Sequence, residues 1–327
     1  MVQAPAPMGD VQLRPAPRPP LRVVLAAPRG FCAGVRRAID AVTQAIDHHG
    51  APVYVRRAIV HNLAVVRELE ARGAIFVQEV DEVPPGAVLI LSAHGVTPGI
   101  AQAAEQGGRR VIDATCPLVA KVHREVVRHH RDGRHVILIG HADHPEIEGT
   151  LGQLPPGAAD VIASSSEIDA LDIPPAGKVA FAVQTTFSVD EADGIAAALG
   201  ARFADLAGPS GSDICYATTN RQAALRAIAP SVDAIIVVGE SFSSNANRLA
   251  EVAAAQGCES VQLVAGPEEL DWSAVEGRAS IGVTAAASTP ESSVSAVLDG
   301  LRARFDLAIE EIGSPIESAH FRPVRVA

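Results

Sequence analysis

Cys32, Cys116 and Cys215 stand in RGFCAG, DATCPL and DICYATTN. The first two directly follow apolar runs of strand type, and a helix-like pattern follows each of the three. They lie far apart in the chain and read as one thiolate per structural unit, converging on a shared site. Three soft ligands fit a metal or iron–sulfur centre that keeps one coordination position open for a substrate. A helix N-terminus stabilises the thiolate that binds metal, and Pro117 directly after Cys116 suits a first helical position. A free Cys is more often a small buried hydrophobe. Cys258, in AAAQGCESV with no polar cluster around it, is read that way.

The segment GHADHPEIEGT sets His141, His144, Glu146 and Glu148 just after the strand-like RHVILIG. It does not match HExxH, whose histidines need helical i, i+4 spacing. It could be an ordinary solvated loop, but a carboxyl beside histidines at a strand end is also good material for a proton donor. Three neutral clusters come after apolar runs in the same way: Gln184, Thr185 and Thr186 in QTTFS; Ser243, Ser244, Asn245 and Asn247 in SFSSNANR; Thr284, Ser288 and Thr289 in TAAASTP. Each could be a helix cap. Together, hydroxyls, amides and helix N-termini bind phosphate well without lysine. His61 and Asn62 in VHN and His94 in SAHG add imidazoles in equivalent loops. His48, His49, His129, His130 and His135 are read as surface or structural. No GxGxxG follows an early strand and no GxxxxGK[ST] occurs, which removes support for nicotinamide and P-loop chemistry.

These residues must be positioned by strands and helices in alternation. LRVVLAAP, PVYVR, AIFV, AVLILSAHG and RVIDATC read as strands, with helical spacing in GVRRAIDAVTQAIDHHG and VVRELEARG between them. A second pass runs from LVAKVHREVVRHHRDG through RHVILIG, ADVIASS and KVAFAVQTT. A third runs from TTNRQAALRAIA through DAIIVVGE, VQLVAG and ASIGVTAAAS. Strands separated by helix-length segments predict α/β units with parallel sheets. Ligands gather beyond the carboxyl ends of such strands. The divisions expected are a disordered Pro-rich arm over 1–20, α/β units over 21–115, 116–212 and 213–300, and a tail over 301–327. With 327 residues the chain can bury a substantial core. Its net charge of −11 argues against general nucleic-acid binding. No apolar run approaches the ~20 residues of a membrane helix. Residues 1–20 lack the apolar stretch of a signal peptide. Four widely spaced cysteines suit a reducing cytoplasm.

PRGFCAGVRRAI, VHN, SAHG, DATCPLVAKVH, GHADHPEIEGT, QTT, ICYATTNRQ, SSNANRLAE and AAASTP closely resemble the LytB/IspH-type 4-hydroxy-3-methylbut-2-enyl diphosphate reductases. The resemblance runs from about Leu21 to about Pro290 and its motifs are long and ordered. It implies a trefoil of three pseudo-equivalent α/β units around one [4Fe-4S] cluster per chain, held by Cys32, Cys116 and Cys215, with one iron open. It implies the last step of the methylerythritol phosphate route to isoprenoids, giving isopentenyl and dimethylallyl diphosphates. Glu146 would be the proton source and Thr185 would relay protons and orient the substrate hydroxyl. His61, His94, His144, Ser243, Ser244, Asn245 and Ser288 would bind the diphosphate. Ala58, Phe242 and Ala286 depart from glutamate, asparagine and glycine, which are frequent there in the family. The resemblance fades after about Arg302, and the tail carries no expected role.

Two other readings remain open on the residues alone: a hydro-lyase using an open iron only as Lewis acid, and an iron–sulfur sensor without turnover. A sensor has no need of Glu146 and three phosphate-type clusters. A reductase without flavin or nicotinamide motifs takes its electrons from outside, and a ferredoxin or flavodoxin is the expected donor. Arg36, Arg37, Arg56 and Arg57 are either docking charges for it or simply solvated surface.

Overall fold

Val-, Ile- and Leu-rich runs, buried on both faces, are the mark of parallel strands covered by helices, and the computed structural model, which describes residues 18–326, has three such sheets. Strand β1 (Pro20–Ala27) leads to helix α1 (Ala33–His49). Then come β2 (Val53–Arg56), α2 (Leu63–Ala71), β3 (Ala74–Val77), β4 (Val88–Leu91), α3 (Pro98–Gln106) and β5 (Arg110–Asp113). The middle of the chain forms α4 (Pro117–Arg131), β6 (His135–Ile139), α5 (Pro145–Leu151), β7 (Ala159–Ile162), β8 (Lys178–Val183), α6 (Val189–Arg202) and β9 (Asp205–Ala207). The last third forms α7 (Tyr216–Ile228), β10 (Ala234–Val238), α8 (Ser244–Ala255), β11 (Val261–Val264), β12 (Ser280–Ala285), α9 (Glu291–Arg304) and β13 (Asp306–Gly313).

The sheets have the orders β3-β2-β4-β5, β7-β6-β8-β9 and β11-β10-β12-β1-β13. Every pairing in them is parallel. The three orders superimpose if β1 takes the place that β5 and β9 hold in the other sheets. This is the α/β trefoil the resemblance implies, with two corrections to the expected divisions. Strand β1, assigned to a unit beginning at residue 21, belongs to the third sheet, where Val23 pairs with Ile281 of β12 and Ile309 of β13. Parallel pairing needs a crossover, not chain adjacency, so the first strand can close the last unit.

The tail expectation over 301–327 is corrected too. β13 pairs along the whole of β1, from Pro20↔Asp306 to Ala27↔Gly313. Beyond it, Val324 is buried in the first unit's core with Val53, Val55 and Ile90. Of the arm read over 1–20, residues 1–17 lie outside the described residues, and Pro20 already opens β1.

Helices α1, α4 and α7 carry the chain from one sheet to the next. Helix α1 leaves the third sheet and buries Ala38, Ala41, Val42 and Ala45 against the first. Small residues along that face let the helix sit close to the strands. Helix α4 buries Val122 and Val126 against Val136 and Leu138 of the second sheet. Helix α7 buries Leu225 and Ile228 against Val24 and Ile235 of the third. Each fully buried Val, Leu or Ile contributes roughly 1.5–3 kcal/mol of burial, so these faces anchor the N-terminal ends of all three helices. No helix among the described residues is long and apolar enough to cross a membrane.

Candidate active site

The N-cap residues of the three crossover helices are Cys32, Cys116 and Cys215. The Cys32 sulfur accepts from Val35 N at 3.4 Å and the Cys215 sulfur from Thr218 N at 3.4 Å. The backbone repeats a second contact three times. Cys32 N donates to Ala287 O at 3.2 Å, Cys116 N to Ala93 O at 3.0 Å and Cys215 N to Thr185 O at 3.0 Å. Ala287, Ala93 and Thr185 each stand two residues past β12, β4 and β8, the strands beside β1, β5 and β9. One geometry, used three times, therefore aims three thiols into one cavity.

A side chain at Gly34 would not fit beside them, since a Cβ there would come within 2.9 Å of the Cys116 sulfur. Burial pushes the Cys116 thiol up to about 12 and Cys215 to about 11, and the other thiols of the group add to both rises. A bound cationic centre would offset both rises by taking the protons' place. Among the described residues, no three His, Cys, Asp or Glu groups are gathered tightly enough for a single metal ion. Thiols spaced around a cavity suit a polynuclear cluster, in which each binds a different iron. Cys258 lies away from this cavity, beside the core under α8, and its sulfur donates to Ser260 O at 3.4 Å.

Glu146 enters the same cavity from the first turn of α5 and is 3% exposed. Its Oε1 accepts from Thr185 N and its Oε2 from Thr185 Oγ1, both at 2.7 Å. Burial lifts its carboxyl from the ordinary 4.5 to about 7; the two Thr185 bonds oppose the rise and Asp213 adds to it. Half of it is thus protonated near neutral pH, where a general acid is most useful. When protonated, Glu146 donates to Thr185 Oγ1, which frees the threonine hydroxyl to donate into the cavity.

Three imidazoles line the same cavity, and one of them, His144, accepts from Glu146 N at 3.2 Å. The ring centres of His61 and His94 are 4.2 Å apart, those of His61 and His144 5.4 Å, and those of His94 and His144 5.9 Å. Burial lowers His61 to about 4 and His144 to about 3. His94 is also held well below 6.5, by burial first and then by the neighbouring rings. The Nε2 atoms of His61 and His144 are buried without a hydrogen-bond partner. Buried polar atoms of this kind need one, and an anionic oxygen in the cavity would supply it.

Ser243, Ser244, Asn245 and Ser288 also line the cavity. Ser243 caps α8, as the helix-cap reading has it, and also borders the cavity. Asn245 ties elements of the third unit together, donating to Thr218 Oγ1 at 3.3 Å and accepting from Ala287 N at 2.8 Å. Ser244 lies 2.9 Å from Thr186 Oγ1, and Ser288 Oγ donates to His61 O at 3.0 Å. Glu148 points elsewhere and pairs with Arg57 at 2.6 Å. Of the departing residues, Ala286 is fully buried, and Phe242 is 46% exposed with its ring edge-on to His61 at 6.0 Å. Nothing in the structure explains Ala58.

Several cavity residues escape the reading of the sequence, Gly34, Tyr216, Thr218 and Phe321 among them. Thr218 and Tyr216 flank Cys215, and Tyr216 Oη accepts from Ala33 N at 3.0 Å. Gly34 carries a signal only in its closeness to Cys32. Phe321 comes from the tail.

Fold and site define a three-unit parallel α/β protein whose three thiols, one buried carboxyl of raised pKa and three imidazoles of lowered pKa share a single cavity. The family described as LytB protein matches residues 23–302, and the chain belongs to that family. It is 50% identical over 307 residues to the 4-hydroxy-3-methylbut-2-enyl diphosphate reductase of Ruegeria pomeroyi, covering 94% of this chain and 97% of the relative. It is 48% identical to the enzyme of the same name from Paracoccus denitrificans, covering 94% and 98%. Among solved structures, the E-1-hydroxy-2-methyl-but-2-enyl-4-diphosphate reductase from Plasmodium falciparum aligns with a TM-score of 0.87 at 35% identity, covering 94% of this chain and 96% of that one. A second, described as the terminal enzyme of the non-mevalonate pathway, aligns at 0.61 with 29% identity, covering 86% and 99%.

Proposed function

We infer that this chain is an oxidoreductase that converts (E)-4-hydroxy-3-methylbut-2-enyl diphosphate to isopentenyl and dimethylallyl diphosphates, the last step of the methylerythritol phosphate route. The names and coverage of its relatives support the reaction. The observation that carries it is one cavity holding three thiols at helix N-caps together with Glu146, whose pKa lies at about 7. The donor set fits a [4Fe-4S] cluster bound by Cys32, Cys116 and Cys215. When bound, such a cluster supplies electrons and a Lewis-acidic iron at its open position.

The chain's own residues do the rest. His61 and His144, whose buried Nε2 atoms lack a partner, would hold the diphosphate together with His94, Ser243, Ser244, Asn245 and Ser288, all of which line the cavity. Thr185 Oγ1 orients the substrate's hydroxyl and passes it the Glu146 proton. Two electrons and two protons are consumed: one C–O bond breaks, one proton leaves with the hydroxyl as water, and the other ends on carbon. The electrons come from a ferredoxin or flavodoxin in a reducing cytoplasm, which suits four cysteines that are all free.

The test is anaerobic turnover of cluster-loaded protein by a chemical reductant with the hydroxy-diphosphate. Both C5 diphosphates are expected, and no product from replete, reduced protein removes the reading.

A further inference from the structure

The structure separates the four arginines that could meet an acidic partner. Arg56 is buried and pairs with Glu79, and Arg57 pairs with Glu148. Arg37 gives its guanidinium to the carbonyls of Ala114, Thr115 and Arg322. Arg36 is exposed and lies over the Phe31 ring at 5.7 Å. Among the described residues it has no ion-pair partner, whereas buried Arg221 and half-buried Arg29 each have theirs.

The C-terminal segment, which packs beside α1 through Phe321 and Val324, carries further positive charge. Phe321 and Val324 turn inward while His320, Arg322 and Arg325 stay exposed. Neither Arg322 nor Arg325 has an ion-pair partner among the described residues. A basin lies between this segment and α1, lined by Arg36, Arg37, His320 and Phe321, with Asp40 as its acidic member. Phe321 lines both this basin and the thiol cavity, and Ala33, next to Cys32, lines the basin as well. Anything seated there is separated from Cys32 by the first turn of α1 and one phenylalanine ring.

We propose that this basin is the docking surface of a small acidic one-electron carrier protein, and that electrons enter toward Cys32 past Phe321. The proposal rests on the reductase reading above. Each carrier is oxidised by one electron, and two are consumed for each C–O bond broken and each water released. The chain's net charge of −11 repels an acidic protein in general, so unpaired arginines, Arg36 in the basin and Arg322 and Arg325 on the segment that borders it, decide where it can land. Weak electron-transfer encounters need only a small interface, which a basin of this kind provides.

The test compares wild-type protein with the triple variant Arg36→Glu, Arg322→Glu, Arg325→Glu, both cluster-loaded and anaerobic, under two reductants. One is a reduced plant-type [2Fe–2S] ferredoxin and the other is reduced methyl viologen. Ferredoxin-driven kcat/KM should fall at least about tenfold at low salt, with viologen-driven turnover unchanged. Equal ferredoxin kcat/KM in variant and wild type overturns the proposal. If the charge reversals also abolish viologen turnover, the triple Gln variant at the same positions decides by the same comparison. Loss of both activities there would make these residues structural and overturn the proposal too. A wild type inactive with viologen would instead sink the reductase reading itself.

Discussion

Glu146→Gln separates the acid's chemistry from its geometry. A glutamine in the same place accepts from Thr185 N through its amide oxygen and donates to Thr185 Oγ1 through its amide nitrogen, so both 2.7 Å contacts survive. What it lacks is a transferable proton and a charge. The folded-state pKa of Glu146 is raised from 4.5 to about 7. Below the lower value both folded and unfolded forms are protonated, and the carboxyl costs the fold nothing. Between the two values the unfolded chain loses its proton first, so stability falls as pH rises, by about 1.4 kcal/mol per unit. Above the upper value the penalty levels off at about 3 kcal/mol. The variant never meets it. The unfolding entropy of a chain this long is ~0.7 kcal/mol/K, so the difference corresponds to about 4 °C in Tm. Thermal unfolding of cluster-loaded wild type and variant, followed anaerobically from pH 4.5 to 8, should give equal Tm at the acid end and a growing advantage to the variant. Turnover in the variant should drop by about 10²-fold or more, with iron content unchanged. Parallel Tm curves would refute the raised pKa, and undiminished turnover would refute the proton-donor role.

Gly34→Ala should displace the Cys116 thiol, because the new Cβ falls 2.9 Å from its sulfur; iron per chain should drop while far-UV circular dichroism stays as in the wild type. Glu317→Gln should destabilise the protein by about 3–5 kcal/mol, because it removes the charge partner of Arg221, which is fully buried and also donates to Gly30 O just ahead of Cys32. Chemical denaturation checks this. Inorganic diphosphate should bind with proton uptake at pH 7, measured by calorimetry in buffers of differing ionisation enthalpy, because His61 and His144 are neutral when free, at about 4 and about 3, and an anion at their Nε2 atoms raises both. Affinity should accordingly weaken as pH rises.

The chemistry was legible in the sequence because it is local. A cysteine before a helix start, a carboxyl two residues after a histidine, and Thr185 directly past an apolar strand are all short-range patterns, and parallel sheets gather the loops after their strands at one edge. The membership of β1 was not legible. A buried apolar run such as LRVVLAA carries no mark of which sheet it joins, since both faces are covered and no alternation points to a side. Phe321 was invisible for a related reason. It lies in an extended segment where Val324 and Val326 also pack inward between exposed arginines, without strand or helix periodicity over a useful length. The cap-or-ligand ambiguity at Ser243 could not be resolved from sequence, because the same hydroxyl caps α8 and borders the cavity.

The circular closure of the trefoil bears on how an acidic chain would hold the proposed cluster and diphosphate. No lysine or arginine lines the cavity among the described residues. The positive end of a helix dipole is the remaining fixed source of positive potential, and the backbone aims three long helices at the cavity, α1, α4 and α7, each through its N-terminal cysteine. Three such termini meet only if each unit hands the chain to the next at the site itself. With three crossovers and a linear chain, one unit must be completed by a strand from the other end of the sequence. β1 is that strand. Its pairing with β12 and β13 sets the direction of α1 and therefore the position of the Cys32 thiol. The Cys32 thiol is thus placed by strand pairings between the two ends of the described chain. Loosening β13 from β1 should cost the site its Cys32 before it costs the protein its sheets.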